Sequence, residues 1–181
     1  MRDEAHDSEW FERVLQADKD KGISYEALKE RIEGLAKVYD KAISRIDSRT
    51  IKAWSDYACI ARLLGNRMVK EYGVIVKYTW GQPYETPKSM FSDIDKGILQ
   101  ISLENNAHPV LTSRENLICR IWHDLTHYKL RSNFGFLGEC ETCEDQTKQA
   151  PELAHVLHCD IVLQVAWGLV HRQFPPQKVF I

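Results

Sequence analysis

Two histidines four residues apart, His123 and His127, sit in the stretch Arg120-Ile-Trp-His-Asp-Leu-Thr-His-Tyr-Lys-Leu130, whose apolar spacing predicts a helix. A four-residue step stacks side chains on one helical face, so both imidazoles can reach a shared point. Imidazole is the commonest protein ligand for zinc, and two rings one turn apart can hold one ion. The same pair also fits a helix whose histidines only pack or face solvent, so the choice depends on what lies nearby.

Downstream, Asn133-Phe-Gly-Phe-Leu-Gly138 reads as the end of the helix and a turn, and Glu139-Cys-Glu-Thr-Cys-Glu-Asp-Gln146 follows. Glu139 is the first candidate for a third ligand, because a turn at Gly138 would fold it back toward the histidine face. The resulting His-His-Glu site keeps an open fourth position, which hydrolysis needs. Glu139 also reads as part of a solvated acidic helix start beside Glu141, Glu144 and Asp145. A second ligand set recruits Cys140 and Cys143. His123-x3-His127-x12-Cys140-x2-Cys143 has the pair spacings of a closed His2Cys2 zinc site, which would be structural and would mark a non-enzymatic binding or interaction protein. Spacing alone leaves both sets open. Either one implies Zn2+ as cofactor, with another divalent metal as the substitute.

The order of edge strand, turn, capped helix with two histidines, glycine turn and acidic residue resembles the minimal core of the zincin metallopeptidases over roughly residues 97 to 146. The zincin motif is His-Glu-x-x-His, whereas this chain has His123-Asp124-Leu-Thr-His127, with a carboxylate one methylene shorter. The resemblance implies zinc-dependent hydrolysis of a peptide or amide substrate, with His123, His127 and Glu139 as ligands and Asp124 as general base. Trp122-His-Asp-Leu-Thr-His127, with Phe134 or Phe136 and Gly138-Glu139, also resembles a family of phage-borne proteins that has no assigned activity. In that family aspartate is the usual second residue.

Other chemistry finds less support. Glu152-Leu-Ala-His155 is one glutamate-x-x-histidine step of the kind used by carboxylate-bridged di-iron helices, but that fold needs two. Among His155, His158, Cys159 and Asp160, one could serve as a ligand or as an outer partner that orients a ligand histidine. His123-Asp124 is an HD pair, yet His108 lies too close upstream for an HD-type phosphohydrolase. No GxSxG, P-loop or GxGxxG occurs. His6, His108 and His171 read as surface or loop residues.

The elements that must position these residues follow from periodicity. At 181 residues, 44% apolar and 28% charged, the chain is expected to form one domain, 1–181. Within it, 8–72 reads as a helical hairpin region and 175–181 as a tail, and the resemblance implies a zincin-like core at 73–174. Net charge is −2, which leaves no clear nucleic-acid footprint. The five cysteines and a polar start without an export-signal pattern predict a cytoplasmic protein, and the apolar run Ile161–Val170 is too short to imply a membrane span.

A first helix is expected at 8–21 with Trp10, Phe11, Val14 and Leu15 inward. Two longer helices, 24–47 (Leu28, Ile32, Leu35, Tyr39, Ala42, Ile46) and 50–72 (Ile51, Trp54, Ala58, Ala61, Met68, Tyr72, with Gly65 at the missing position), read as an antiparallel hairpin. Their stripe is expected to be core, or a surface for a protein partner or self-association. Alternation at 74–80 and 99–103 predicts two strands, joined through a loop at 81–96 and paired antiparallel. Thr112-Ser-Arg-Glu115 is a capping box that starts the motif helix, and a long last helix runs from Pro151 to about Phe174. The fold class expected is therefore α+β, mostly α: helical hairpin, small antiparallel sheet, HDxxH helix and long C-terminal helix.

Overall fold

The computed structural model describes residue 12 and residues 14–181; His6, Trp10, Phe11 and the beginning of the expected first helix lie outside the described residues. Residues 14–20 are helical (α1) and bury Val14. Then come α2 (Tyr25–Lys41), α3 (Ser48–Tyr72), β1 (Ile75–Thr79), α4 (Pro87–Asp95), β2 (Ile98–Ser102), α5 (Ser113–Leu130) and α6 (Phe136–Gln149). The last helix, α7 (Pro151–His171), opens with a 3-10 turn and contains a π-helical segment, His158–Leu163. The mostly helical α+β character agrees with the sequence pattern, and two expected arrangements need correction.

The first correction concerns the sheet, whose two strands run parallel, with Ile75 opposite Ile98 and Thr79 opposite Ser102. Parallel strands need a crossover that carries the chain back, usually a helix. The segment expected to be a loop supplies one. Thr86 and Ser89 form a capping box, Pro87 occupies the first turn, and Met90 and Ile94 bury the inner face of α4.

The second correction concerns the hairpin. Helices α2 and α3 do not pack along each other; α2 lies on α7, and α3 lies on α5. Helix α2 also stops at Lys41 rather than near residue 47. Lys178 from the tail donates its ammonium to the carbonyls of Tyr39 (2.6 Å), Asp40 (3.2 Å) and Ala42 (3.1 Å). A cation there satisfies end-of-helix acceptors and suits the negative end of the dipole. Beyond it, Arg45 N–H donates to Val179 O (2.9 Å), so the segment that would have prolonged α2 runs beside the tail. Ile43 and Ile46 are consequently exposed, and Leu35 is only half-buried.

The α3 seam holds as expected through Trp54, Ala58, Ala61 and Met68, all buried, although Ile51 is exposed. Gly65 fills the missing position because α5 approaches there: a Cβ on Gly65 would lie 3.5 Å from Trp122 Cβ. Trp122 and Leu125 are fully enclosed, which makes α5 the central helix of the structure. Helix α7 is long and apolar enough to cross a membrane by length and composition, and 61% of its apolar window is buried inside the structure, with Leu153, Val156, Leu157 and Ala166 in the core.

Candidate metal centre

The motif helix is set by local code at both ends. The Thr112 hydroxyl accepts from Glu115 N–H (3.3 Å), and Glu115 in turn accepts from Thr112 N–H (2.8 Å). At the other end Arg131 adopts a left-handed conformation (φ 52°), and Ser132 N–H donates to His127 O (3.1 Å). This cap brings the Ser132 hydroxyl back over the His127 ring.

Helix α6 delivers Glu139. Gly138 lies inside this helix and is not the turn; it matters because a Cβ there would collide with the Asn133 carbonyl and side chain. The chain linking α5 to α6 can therefore press onto the first turn of α6. The free N–H groups of that turn are capped from far away in sequence. Asp18 on α1 accepts from Phe136 N–H (2.9 Å) and Leu137 N–H (3.3 Å), and Gly135 N–H donates to Asn133 Oδ1 (3.1 Å). A Cβ at Gly135 would strike that Asp18 carboxylate.

Three donor atoms converge. His123 Nε2 lies 3.0 Å from His127 Nε2 and 3.1 Å from Glu139 Oε2, and His127 Nε2 lies 3.4 Å from the same oxygen. Tetrahedral zinc at ~2.0–2.1 Å from its ligands separates them by about 3.3–3.4 Å, so this triangle needs adjustments of a few tenths of an ångström to accept the ion. Among the described residues it is the one group of His, Cys, Asp and Glu side chains arranged to hold a metal. Cys140 and Cys143 stand outside it. Cys140 is turned a third of the way round α6 from Glu139, with its Sγ 4.0 Å from Arg31 Nη2. The closed His2Cys2 geometry therefore lacks two of its ligands.

The two imidazoles are held differently. His127 is fully buried, and its Nδ1 lies 2.8 Å from Ser132 Oγ and 3.3 Å from Thr142 Oγ1. If Nε2 takes a metal, Nδ1 must carry the proton and can donate it to Ser132, the kind of bond that fixes an imidazole for coordination. Sequence reasoning missed Ser132 and Thr142. The available signal was the three-residue step from Glu139 to Thr142, which puts both on one face of α6. His123 Nδ1 is buried with no hydrogen-bond partner among the described residues.

Charge ties the cluster together. Burial by itself would lower the His123 pKa, but the Glu139 carboxylate, followed by Asp124 and Asp160, raises it to about 9. Burial would raise Glu139, yet the imidazoles of His127 and His123 hold it well below the usual carboxylate range. Without metal, His123 and Glu139 thus form an imidazolium–carboxylate pair at neutral pH.

The cluster stands where two cavities meet, and His123, Glu139, Arg120 and Gln82 line both. The larger, about 760 Å³, is also bordered by Asp124, His127, Tyr84 and the β2 residues Gln100, Ile101 and Ser102. Burial pushes the Asp124 pKa up against the pull of His123, His127 and Arg120. The smaller, about 280 Å³, runs to Tyr57, Asp160 and Gln164. Arg120 braces the wall between β2 and α5, donating to the carbonyls of Ser102 (3.0 Å), Glu104 (2.9 Å) and Asn105 (2.7 Å).

The remaining candidates fall elsewhere. Glu152, His155 and His158 are exposed and, among the described residues, join no cluster of metal-ligating side chains. His108 lies in the loop between β2 and α5, as expected, but half-buried: its Nδ1 accepts from Val110 N–H (3.2 Å) and Leu111 N–H (2.9 Å), and its ring lies 4.5 Å from that of Trp54. His171 pairs with Asp40 at the end of α7 (3.1 Å). Comparison with protein-family models, with curated proteins and with solved structures finds no match, so the geometry of His123, His127 and Glu139 is what speaks for function.

Proposed function

We propose that the protein is a zinc-dependent hydrolase acting on a peptide or amide bond, with His123, His127 and Glu139 as ligands and Asp124 as general base. The observation that carries this reading is the triangle of donors, with edges of 3.0, 3.1 and 3.4 Å, bordering a cavity of about 760 Å³ that Asp124 also faces. Two nitrogens and one carboxylate oxygen are a donor set that suits zinc better than the all-oxygen preference of magnesium or calcium. Zinc in such a site acts as a Lewis acid on a carbonyl and lowers the pKa of coordinated water toward ~7.

The chain supplies the rest. Ser132 and Thr142 keep the His127 ring in place, and Asp18 anchors the turn that presents Glu139. Among the described residues no protein group hydrogen-bonds the Asp124 carboxylate, which leaves its oxygens free to take a proton from the attacking water and return it to the leaving amine. The raised Asp124 pKa suits that second transfer.

The test combines zinc content with turnover on a broad peptide and amide panel. Asp124→Asn should keep zinc and fold while lowering hydrolysis roughly 10²–10⁴-fold. Cys140→Ser/Cys143→Ser should keep both zinc and activity. If Asp124→Asn matches wild type on every substrate that wild type cleaves, the assignment of the base is wrong; loss of zinc from the cysteine variant would move the site to the closed ligand set.

A further inference from the structure

The two histidines of the cluster are unequal in a way that the ligand geometry leaves open. A histidine that binds through Nε2 must carry its proton on Nδ1, and a ligand imidazole almost always donates that proton to an oxygen. His127 Nδ1 has Ser132 Oγ at 2.8 Å to receive it, whereas His123 Nδ1 is buried with no acceptor among the described residues. The smaller cavity, about 280 Å³, is lined by both His123 and Asp160. It has room for several waters at ~30 Å³ each, and its polar walls provide the two to four partners that a buried water needs.

Asp160 lies in the π-helical segment of α7, a local widening of a kind frequent at functional sites. Its carboxylate is held on both sides: Oδ2 accepts from the Tyr57 hydroxyl (3.1 Å) and Oδ1 from Gln164 Nε2 (3.1 Å). Gln164 is itself fixed by a reciprocal amide pair with Gln177 (3.3 and 3.1 Å). Each carboxylate oxygen still has a lone pair to offer. Building on the zinc reading above, we propose that Asp160 is a positioning residue for the metal site: when the His123 ring shifts to bind through Nε2 and opens Nδ1 to the smaller cavity, a water there relays the Nδ1 proton to Asp160 and fixes the ring. A carboxylate so placed makes the imidazole a stronger ligand and sets its orientation, with Tyr57 and Gln164 holding the acceptor still.

The experiment uses the full chain, stripped of metal, with zinc affinity measured by competition against a chromophoric chelator and with cobalt(II) as a spectroscopic stand-in. Asp160→Asn should weaken zinc binding about 10–100-fold and alter the visible cobalt bands, while the metal-free far-UV circular dichroism stays that of wild type. Tyr57→Phe, which releases Oδ2, should weaken zinc in the same direction by a smaller factor. The double variant should lose less than the product of the two, because both act along one path. A folded Asp160→Asn protein with wild-type zinc affinity and an unchanged cobalt spectrum overturns the role of Asp160 and leaves the metal site standing. If Asp160→Asn does not fold, Tyr57→Phe decides: unchanged affinity and cobalt bands overturn the proposal. Wild-type protein that binds no zinc overturns the metal reading and this inference together.

Discussion

Adding zinc to the metal-free protein should raise its melting temperature and should do so more strongly as pH rises. The donor triangle is already close to tetrahedral edges, so binding asks for little rearrangement of the folded chain, while the unfolded chain offers no such cluster. Free zinc at 100 times its dissociation constant then stabilises the fold by about 2.7 kcal/mol, which for a chain of this size is about 5–11 °C.

The pH dependence follows from His123. Its pKa in the fold is about 9 against an ordinary 6.5, so the metal-free fold holds this proton more tightly than the unfolded chain does. That contribution is complete below about 6.5 and is lost as pH climbs through about 9. Glu139 works in the opposite sense, with a depressed pKa whose contribution is present above its ordinary 4.5 and lost in acid. Zinc must displace the His123 proton, so its apparent affinity should climb about tenfold per pH unit in neutral solution and level off near 9. Differential scanning fluorimetry paired with calorimetric titration at pH 6, 7 and 8 reads both effects. Glu139→Gln should abolish most of the zinc-induced shift and flatten the pH slope. A wild-type shift near zero at saturating zinc, or one that Glu139→Gln retains, would refute the reasoning.

Gly65→Ala should be neutral or stabilise by up to ~1 kcal/mol in chemical denaturation, since a Cβ there meets Trp122 at ordinary contact distance and glycine is a poor helix former; Gly65→Leu should cost ~1–3 kcal/mol by forcing α3 from α5. Gly138→Ala should lower the melting temperature and weaken zinc binding together, because the collision with Asn133 shifts the turn that presents Glu139; wild-type values for both would show that this turn yields easily. Ile32→Ala, at a position 1% exposed, should cost ~2–5 kcal/mol, and Leu35→Ala less, because Leu35 is only half-buried. Equal losses at the two positions would contradict the packing of α2 on α7.

What the sequence determined was whatever short-range chemistry writes. The motif helix was legible because the Thr112 and Glu115 capping box starts it and an unbroken apolar period sustains it. Both strands were legible from alternation to within a residue or two, and the four-residue step of His123 and His127 fixed their common face before any fold was known. Glu139 could be named from its place after the turn, although the stated reason was wrong: Gly138 acts by letting Asn133 pack close and not by bending the chain.

What only the tertiary structure decided was which surfaces meet. The apolar stripes of α2 and α3 announce burial but carry no address, and each found a partner far along the chain instead of the other. Strand direction depended on α4, whose Thr86–Ser89 capping box lies within the segment expected to be a loop. The end of α2 was set by Lys178, more than 130 residues away, because its ammonium takes the carbonyls that another turn of helix would have used. Most partners of His123, His127 and Glu139 were invisible for the same reason. Asp18, Ser132 and Thr142 carry no motif, since a single polar side chain becomes a cap or a fixing partner only when folding places it beside a buried group that needs one.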